Sequence, residues 1–587
     1  MQEKVNKETM IACDQIVLPT DIDRPIIPTR LQMVSEPQRA KNDWDDEGHY
    51  RKREDLEKVY LQPPGNITAN EMFDCAQQMA QLDAQRVCKN EVAKVAFVNK
   101  NGNIVGVVGQ PGIGKTTSIK TWCKQILHGE ILPNATIVVL IFVRYINFSK
   151  QTNLLEFLLP AELRSWCHVH RNEVKNILEK LNESHRIVLA FDGLDEAAVE
   201  TLSTRVPKVS LYDSADPLTF LLNLTSGNLL PLARKIFTSR PDQLYNLLGD
   251  NRPRFIVQIL GLNKEGQNEL GVQICRDKYQ QLEQVLLKNP DAYAYCYVPV
   301  NFILTLDYLM QHGDRVAFVC LTRVLASACE KYSCSDHLEH LNVPKGKKCE
   351  LHKLSKLAWK GFLRKKIIFE EDDLRNVDLG QNTVQSFLTT SIVESANIKM
   401  TIMEGHKRSY FSHLIWQEFF AAVYMMLRMS HPEAETHFEE LLDPHWDVVS
   451  KFAYGLCSHS VFYQLKQIIP GCSTNEWKAK KAALKQVAAN CVEENVLISK
   501  LLKVCSWIQE AKDDDFARCV AEKLPKMIHI SMYTTILPSD VWNLFYVLRH
   551  ADTSPSLRVE RCSFTGDSLE RFSHAVAEAN VKVRKQT

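Results

Sequence analysis

The run from Gly109 to Thr117, GQPGIGKTT, limits what this chain can fold into more than any other feature. It fits the pattern G-x-x-x-x-G-K-[ST]. It lies between an apolar run, IVGVV (104–108), and a segment with helical character, which is the context the pattern requires. Gly109, Gly112 and Gly114 can take positive φ, so successive backbone N–H groups turn inward as an anion cradle. The helix that follows aims the positive end of its dipole at the same place. Lys115 supplies a positive charge for β- and γ-phosphates. Thr116 offers a hydroxyl to Mg²⁺ and Thr117 one to an α-phosphate.

Two further runs supply partners. RIVLAFDGLDE (186–196) is an apolar strand ending in Asp192, where a carboxylate can hold Mg²⁺ directly or through water. Asp195 and Glu196 add two carboxylates, and either could orient or deprotonate an attacking water. A solvated acidic turn is the plainer alternative for these two. IFTSRP (236–241) reads as another core strand, ending in Ser239 and Arg240; a guanidinium there could report a third phosphate, or simply face solvent.

Buried β-branched runs alternate with helical segments: 104–108, 135–143, 186–192, 233–239 and 254–260. Such runs predict a parallel α/β sheet covered by helices on both faces. After about residue 262 the pattern turns helical, and 435–530 reads as all-helical. In 351–363, Leu351, Leu354, Leu357, Ala358 and Phe362 share one helix face. Residues 1–65 are polar and punctuated by prolines at 19, 25, 28, 37, 63 and 64, and read as a disordered or loosely ordered tail. A helical lead-in over 66–103 follows. No internal repeat of 20–50 residues stands out. LRVERCSF (557–564) with the helical SLERFSHAVAEA behind it fits a single leucine-rich-repeat unit or an ordinary strand–helix end.

With 71 Lys+Arg against 70 Asp+Glu, the balance argues against a dedicated nucleic-acid binder. No apolar stretch approaches the roughly 18 residues of a membrane helix. The start, MQEKVNKETM, has no apolar core of a secretory signal. The 17 cysteines are scattered and odd in number, which favours reduced, mostly buried thiols in a cytoplasmic protein. Cys334, His337, His340, Cys349 and His352 could bind Zn²⁺, but their spacing matches no closed finger, and a polar linker is the default. The basic helix WKAKKAALK (477–485) reads as a solvated face.

GQPGIGKTT, FDGLDE and FTSRP, in that order, resemble the NACHT module of NLR-type innate immune receptors, signal-transduction (STAND) P-loop NTPases. The DGLDE form is the more specific feature. Downstream, QILGLNKEG (258–266) resembles the start of that family's first helical domain. YCYVPV (295–300) resembles its proline motif, which implies that Pro299 packs on adenine. LSKLAWKGFLRKKIIFEEDDL (354–374) resembles its winged-helix opening. YFSHLIWQEFFAA (410–422) resembles a signature whose histidine, here His413, contacts the phosphates of bound ADP. HWDVVSKFAYGL (445–456) resembles its second helical domain.

The resemblance covers about 104–530 and implies an order of domains. These are a NACHT P-loop NTPase at 104–250, helical domain 1 at 251–330, a winged helix at 331–430 and helical domain 2 at 431–535. The start of a leucine-rich-repeat region would occupy 536–587. The implied activity is a switch that exchanges ADP for ATP, opens and oligomerises, with slow Mg²⁺-dependent hydrolysis as reset. The implied partners are further copies, related NLR-like proteins and an unnamed signalling adaptor. A truncated regulator or decoy that binds related receptors, and a constitutive P-loop ATPase, are the competing readings.

Overall fold

The computed structural model describes residues 6–7, 30–33, and 67–313 apart from 89, 110–111, 144–145, 147, 149–150, 159–168, 197–206, 212 and 240–252. It also describes 319–334, 351–379, 387–393, and 406–585 apart from 494–495, 531–534, 537, 553–554, 561, 565–567 and 580–582.

Five strands form the parallel sheet: β2 (Ile104–Val108), β3 (Ile137–Phe142), β4 (Ile187–Asp192), β5 (Arg234–Ser239) and β6 (Phe255–Leu260). Their order, β6-β2-β5-β4-β3, is extended at the β6 edge by an antiparallel strand, β1 (Arg30–Met33). The strands are near-continuous apolar runs because both faces are covered. Alternate residues feed separate cores. Val105, Val107, Ile236 and Val257 enter one; Ile104, Val108, Leu189 and Phe237 enter the other. Phe191 stacks on Phe237 at 4.8 Å between neighbouring strands.

Two sequence boundaries are corrected here. Residues 1–65 are not all a loose tail, because Arg30–Met33 completes the sheet edge with backbone hydrogen bonds to β6. The NTPase unit does not stop at 250 either, since Phe255–Leu260 pairs with β2 inside the sheet. The lead-in is two helices, α1 (Met72–Val87) and α2 (Glu91–Asn101), split where Asn90 caps the second by accepting from Ala93 N.

The loop after β2 enters α3 (Lys115–Leu127). Beyond β6 come α4 (Lys264–Cys275), α5 (Tyr279–Leu287), α6 (Pro290–Tyr295), α7 (Pro299–His312) and α8 (Leu321–Cys334). Helix α9 (Leu351–Leu363) buries the face read from the sequence and packs on α10 (Leu414–Leu427). Between these two helices lies an antiparallel three-stranded sheet of Ile368–Glu370, Leu388–Val393 and His406–Phe411. This is a winged-helix arrangement.

Helices α11 (Asp447–Gly455), α12 (His459–Ile468), α13 (Thr474–Asn490), α14 (Ile498–Ala511) and α15 (Asp514–Glu522) follow. The basic helix is not simply a solvated face. Lys480 is 1% exposed and donates to the carbonyls of Met425 and Met429, closing the C-terminal end of α10. Burial lowers its pKa to about 8. Lys481 pairs with Asp513 at 2.5 Å.

The helical region ends earlier than the sequence suggests, at a strand Met527–Ile530. This strand pairs in parallel with Ser556–Val559, which pairs in parallel with Val583–Lys585. Ile528 lies opposite Leu557, and Leu557 opposite Val583, so a unit of strand and helix begins again after 29 residues, and its strand once more after a further 26. The helices of these units are α16 (Pro538–Leu548) and α17 (Ser568–Ala579). An internal repeat is therefore present where none was read, hidden because the first unit, IHISMYTTI, shares with the second only an apolar pair two residues apart, Ile528 and Ile530 against Leu557 and Val559. The cysteines whose side chains are described form no disulfide with one another, and most are buried.

Candidate nucleotide site

The site is assembled at the carboxyl ends of β2, β4 and β5. Register places Val108 opposite Ser239, and Gly109 N donates to Ser239 O at 3.2 Å. From there the chain turns through Gly112 (φ 76°) and Gly114 (φ 104°). Both angles are costly for any residue with a Cβ, so the loop is open to glycine alone at little strain. A Cβ at Gly114 would meet no described atom within 4 Å other than those of its chain neighbours, so it is the backbone angle that favours glycine there. Lys115 Nζ lies over the loop and donates to Gly109 O at 2.8 Å. Thr117 lies in the first turn of α3, half-buried.

Asp192, 1% exposed at the end of β4, is the hub. Thr116 Oγ1 donates to its Oδ2 at 2.7 Å. Thr238 Oγ1 donates to its Oδ1 at 2.7 Å and accepts from Gly193 N at 2.8 Å. A carboxylate and a hydroxyl this close, both hard oxygen donors, suit a small divalent cation. Asp195 follows in the short 3₁₀ turn Leu194–Glu196, half-buried, with Leu194 anchoring the turn in the core. The side chain of Glu196 and all of Arg240 lie outside the described residues. So do Cys334's side chain and all of His337, His340 and Cys349 of the Zn²⁺ candidate; among the described residues no group of three or more His, Cys, Asp and Glu side chains is placed to hold a metal ion.

Pro299 opens α7, and the turn around it touches the phosphate loop. A Cβ on Gly112 would lie 3.0 Å from Val300 Cγ1 and 3.1 Å from Val298 Cγ1. Leu262 N donates to Tyr297 O at 2.8 Å, and Gly261 leaves room for the Tyr297 ring. Lys115, Asp192 and the Pro299 turn are thus brought to one place.

His413 sits at the N-cap of α10, whose described packing is on α9, α11, α13 and the strand His406–Phe411. The side chain is half-buried and makes no hydrogen bond among the described residues. Shielding from water lowers its pKa to about 4, so the ring is neutral near pH 7. The sequence reading missed Thr238, Val298, Val300 and Gly261. Only Thr238 left a trace, a polar residue inside an otherwise apolar strand.

A family model for the NACHT domain matches residues 103–278, and one for the NOD2 winged helix domain matches 350–399. Protein NLRC5 of Ictalurus punctatus is 22% identical over 84% of this chain and 30% of its own length. NACHT, LRR and PYD domains-containing protein 14 of Homo sapiens is 24% identical over 66% of this chain and 36% of its own. NACHT, LRR and PYD domains-containing protein 3 of Bos taurus is 24% identical over 71% and 42%. A signal-transduction ATPase (STAND) structure with a tetratricopeptide repeat sensor, from Pyrococcus horikoshii, aligns over 84% of this chain and 64% of that one. It does so with 12% identity and a TM-score of 0.23, too low to carry an argument.

The fold is that of a P-loop NTPase domain. The chain carries a NACHT domain and a NOD2-type winged helix, and is a distant homologue of the NLRC5 and NACHT, LRR and PYD proteins. It spans between 30% and 42% of the length of the three relatives named here.

Proposed function

We propose that this chain is an ATP/ADP-binding switch of NLR type, acting in the cytoplasm in innate immune or cell-death signalling. The observation that carries the reading is the Thr116–Asp192 hydrogen bond at the mouth of a loop with two left-handed glycines. Gly109, Gly112 and Gly114 would cradle the phosphates, Lys115 would meet the β- and γ-phosphates, and Thr117 the α-phosphate. Thr116 and Asp192 would hold Mg²⁺, which when bound offsets phosphate charge. Asp195 or Glu196 would orient the water in a slow hydrolysis that resets the switch. Pro299 would pack on adenine, Arg240 would meet the third phosphate, and the neutral His413 ring, with one N–H to give, would reach the phosphates of ADP.

The two nucleotides must differ in affinity for closed and open states, or exchange shifts nothing. Tight ADP in the closed state and ATP in the open one meets that condition. Opening would let the NTPase faces meet further copies or related NLR-like proteins, and through them a signalling adaptor. The test is to purify the chain, release its nucleotide and identify it. Retained ADP, lost in Lys115→Ala, is the expected result. An empty site with fast multiple turnover would overturn the switch in favour of a constitutive ATPase.

A further inference from the structure

The helices of the two C-terminal units frame a cavity of about 460 Å³, lined by none of the nucleotide-site residues. One wall comes from α16, with Trp542, Phe545 and Tyr546 at the i, i+3 and i+4 spacing of a single helix face. The other comes from the matching face of α17, with Arg571, His574 and Ala575. Each of these follows its counterpart by 29 residues, the same interval that sets Ile528 opposite Leu557 in the strands. The hollow has a simple cause. Where the first unit carries Tyr546, the second carries Ala575, and the missing ring leaves space. Lys512, the C-cap of α14, joins the lining.

The walls are held in place by the protein itself. Tyr546 Oη donates to Asp514 Oδ1 at 2.9 Å, and Phe545 meets Phe572 edge-to-face at 5.5 Å. Arg549 pairs with Glu578, which ties α16 to α17. Lys512 takes a left-handed backbone angle, φ 47°, where glycine or asparagine is the ordinary residue after a helix. The chain thus accepts strain to keep a long cation there, with its Nζ 4.1 Å from the centre of the Tyr546 ring. Three aromatic rings on one wall favour a flat apolar body. With His574 aside, the lining carries three cations, Lys512, Arg549 and Arg571, against two carboxylates, Glu570 and Glu578, and Arg549 already engages Glu578. An anionic head is therefore favoured over a cationic one. We propose that this cavity binds a small planar aromatic carboxylate, its ring against Trp542, Phe545 and Tyr546 and its carboxylate towards Lys512 and Arg571. This proposal does not depend on nucleotide switching.

Calorimetric titration of the full chain with naphthoate, naphthamide and naphthylmethylammonium tests it, because the three probes share a ring system and differ in charge. Naphthoate should saturate one site per chain. It should bind about fivefold more tightly than the neutral amide, the gain expected of a partly exposed ion pair, and the ammonium should bind more weakly than either. Lys512→Gln and Arg571→Gln should each shrink the preference for naphthoate over naphthamide. Combined they should abolish it, while the amide still binds. Trp542→Ala should weaken carboxylate and amide alike; should that variant fail to fold, the two glutamine variants carry the test alone. Lys115→Ala should bind naphthoate as the wild type does, which separates this cavity from the phosphate loop. No saturable binding of naphthoate, equal binding of naphthoate and naphthamide, a preference that survives in the double glutamine variant, or binding lost in Lys115→Ala overturns the proposal.

Discussion

The hydroxyl of Thr238 donates to Asp192 Oδ1 at 2.7 Å across neighbouring strands. That bond sets the rotamer of the carboxylate and leaves Oδ2 to Thr116. Thr238 also accepts from Gly193 N, so its single hydroxyl proton is committed to Asp192. Replacing it with valine keeps the shape but leaves a buried amide and a carboxylate oxygen each short of a partner. Thr238→Val is expected to cost about 1–3 kcal/mol in unfolding free energy. It should also weaken the Mg²⁺-dependent part of nucleotide retention while sparing the Mg²⁺-free part. Thr238→Ser should restore both. Denaturant unfolding and ADP retention with and without Mg²⁺ measure the two effects, and a valine variant equal to wild type in both would remove the positioning role.

Gly112 meets two constraints at once, a left-handed backbone and close contact with Val298 and Val300. Gly112→Ala should cost about 1–2 kcal/mol from the backbone alone. The added Cβ must also push the loop off the Pro299 turn, so nucleotide retention should fall more than stability. Gly129→Ala is the control. It has a similar φ of 75° at the far end of α3 and meets nothing within 4 Å. The control should lose comparable stability and keep its nucleotide; loss of nucleotide in both would place the effect in the fold rather than the site.

Glu510 joins the helices before and after the winged helix. From α14 it accepts Thr322 N at 2.7 Å and Thr322 Oγ1 at 2.6 Å, capping α8, and lies 3.4 Å from Lys451 on α11. Lys451 in turn donates to Tyr295 at 2.7 Å. Glu510 is 1% exposed and Lys451 5%, so removing one leaves the other charged and shielded from water. Glu510→Ala is expected to destabilise by about 3–5 kcal/mol. Adding Lys451→Met should recover part of that loss, because the surviving charge goes with it. Chemical unfolding of the two single variants and the double variant closes the cycle. Additive losses would show that the two charges do not depend on each other.

The sheet was legible because each of its parallel strands is an apolar run bounded by helical signal, and Gly109–Thr117 with Asp192 declared the phosphate side. Strand Arg30–Met33 was not, because four residues of mixed character carry no period, and the pairing that makes them a strand is with the β6 edge, far away in sequence. The burial of Lys480 was hidden for a related reason. In WKAKKAALK nothing separates it from Lys478 or Lys481; the carbonyls that fix it belong to Met425 and Met429, far away in sequence. Thr238 could have been noticed as a polar residue within IFTS, but its partner on the next strand could not. Long-range partners are what the sequence pattern omits, and here they hold the carboxylate, the phosphate loop and the β6 edge.

His413 gives a pH signature with a definite sign. Shielding lowers its pKa from the ordinary 6.5 to about 4. Between those values the unfolded chain binds more protons than the folded one, so stability rises with pH there. The contribution is fully present above about pH 6.5 and is lost as pH falls towards about 4, below which it changes no further. Carboxylates also titrate in the lower part of that window, so the slope belongs to His413 only where it disappears in His413→Gln. Urea unfolding at about pH 7, 5.5 and 4.5 should show a steeper loss for the wild type than for the glutamine variant, most clearly between the first two points. Parallel losses would mean that the ring is hydrated in the folded state. A neutral, water-shielded ring at the head of α10 would then no longer be at hand to donate to a phosphate.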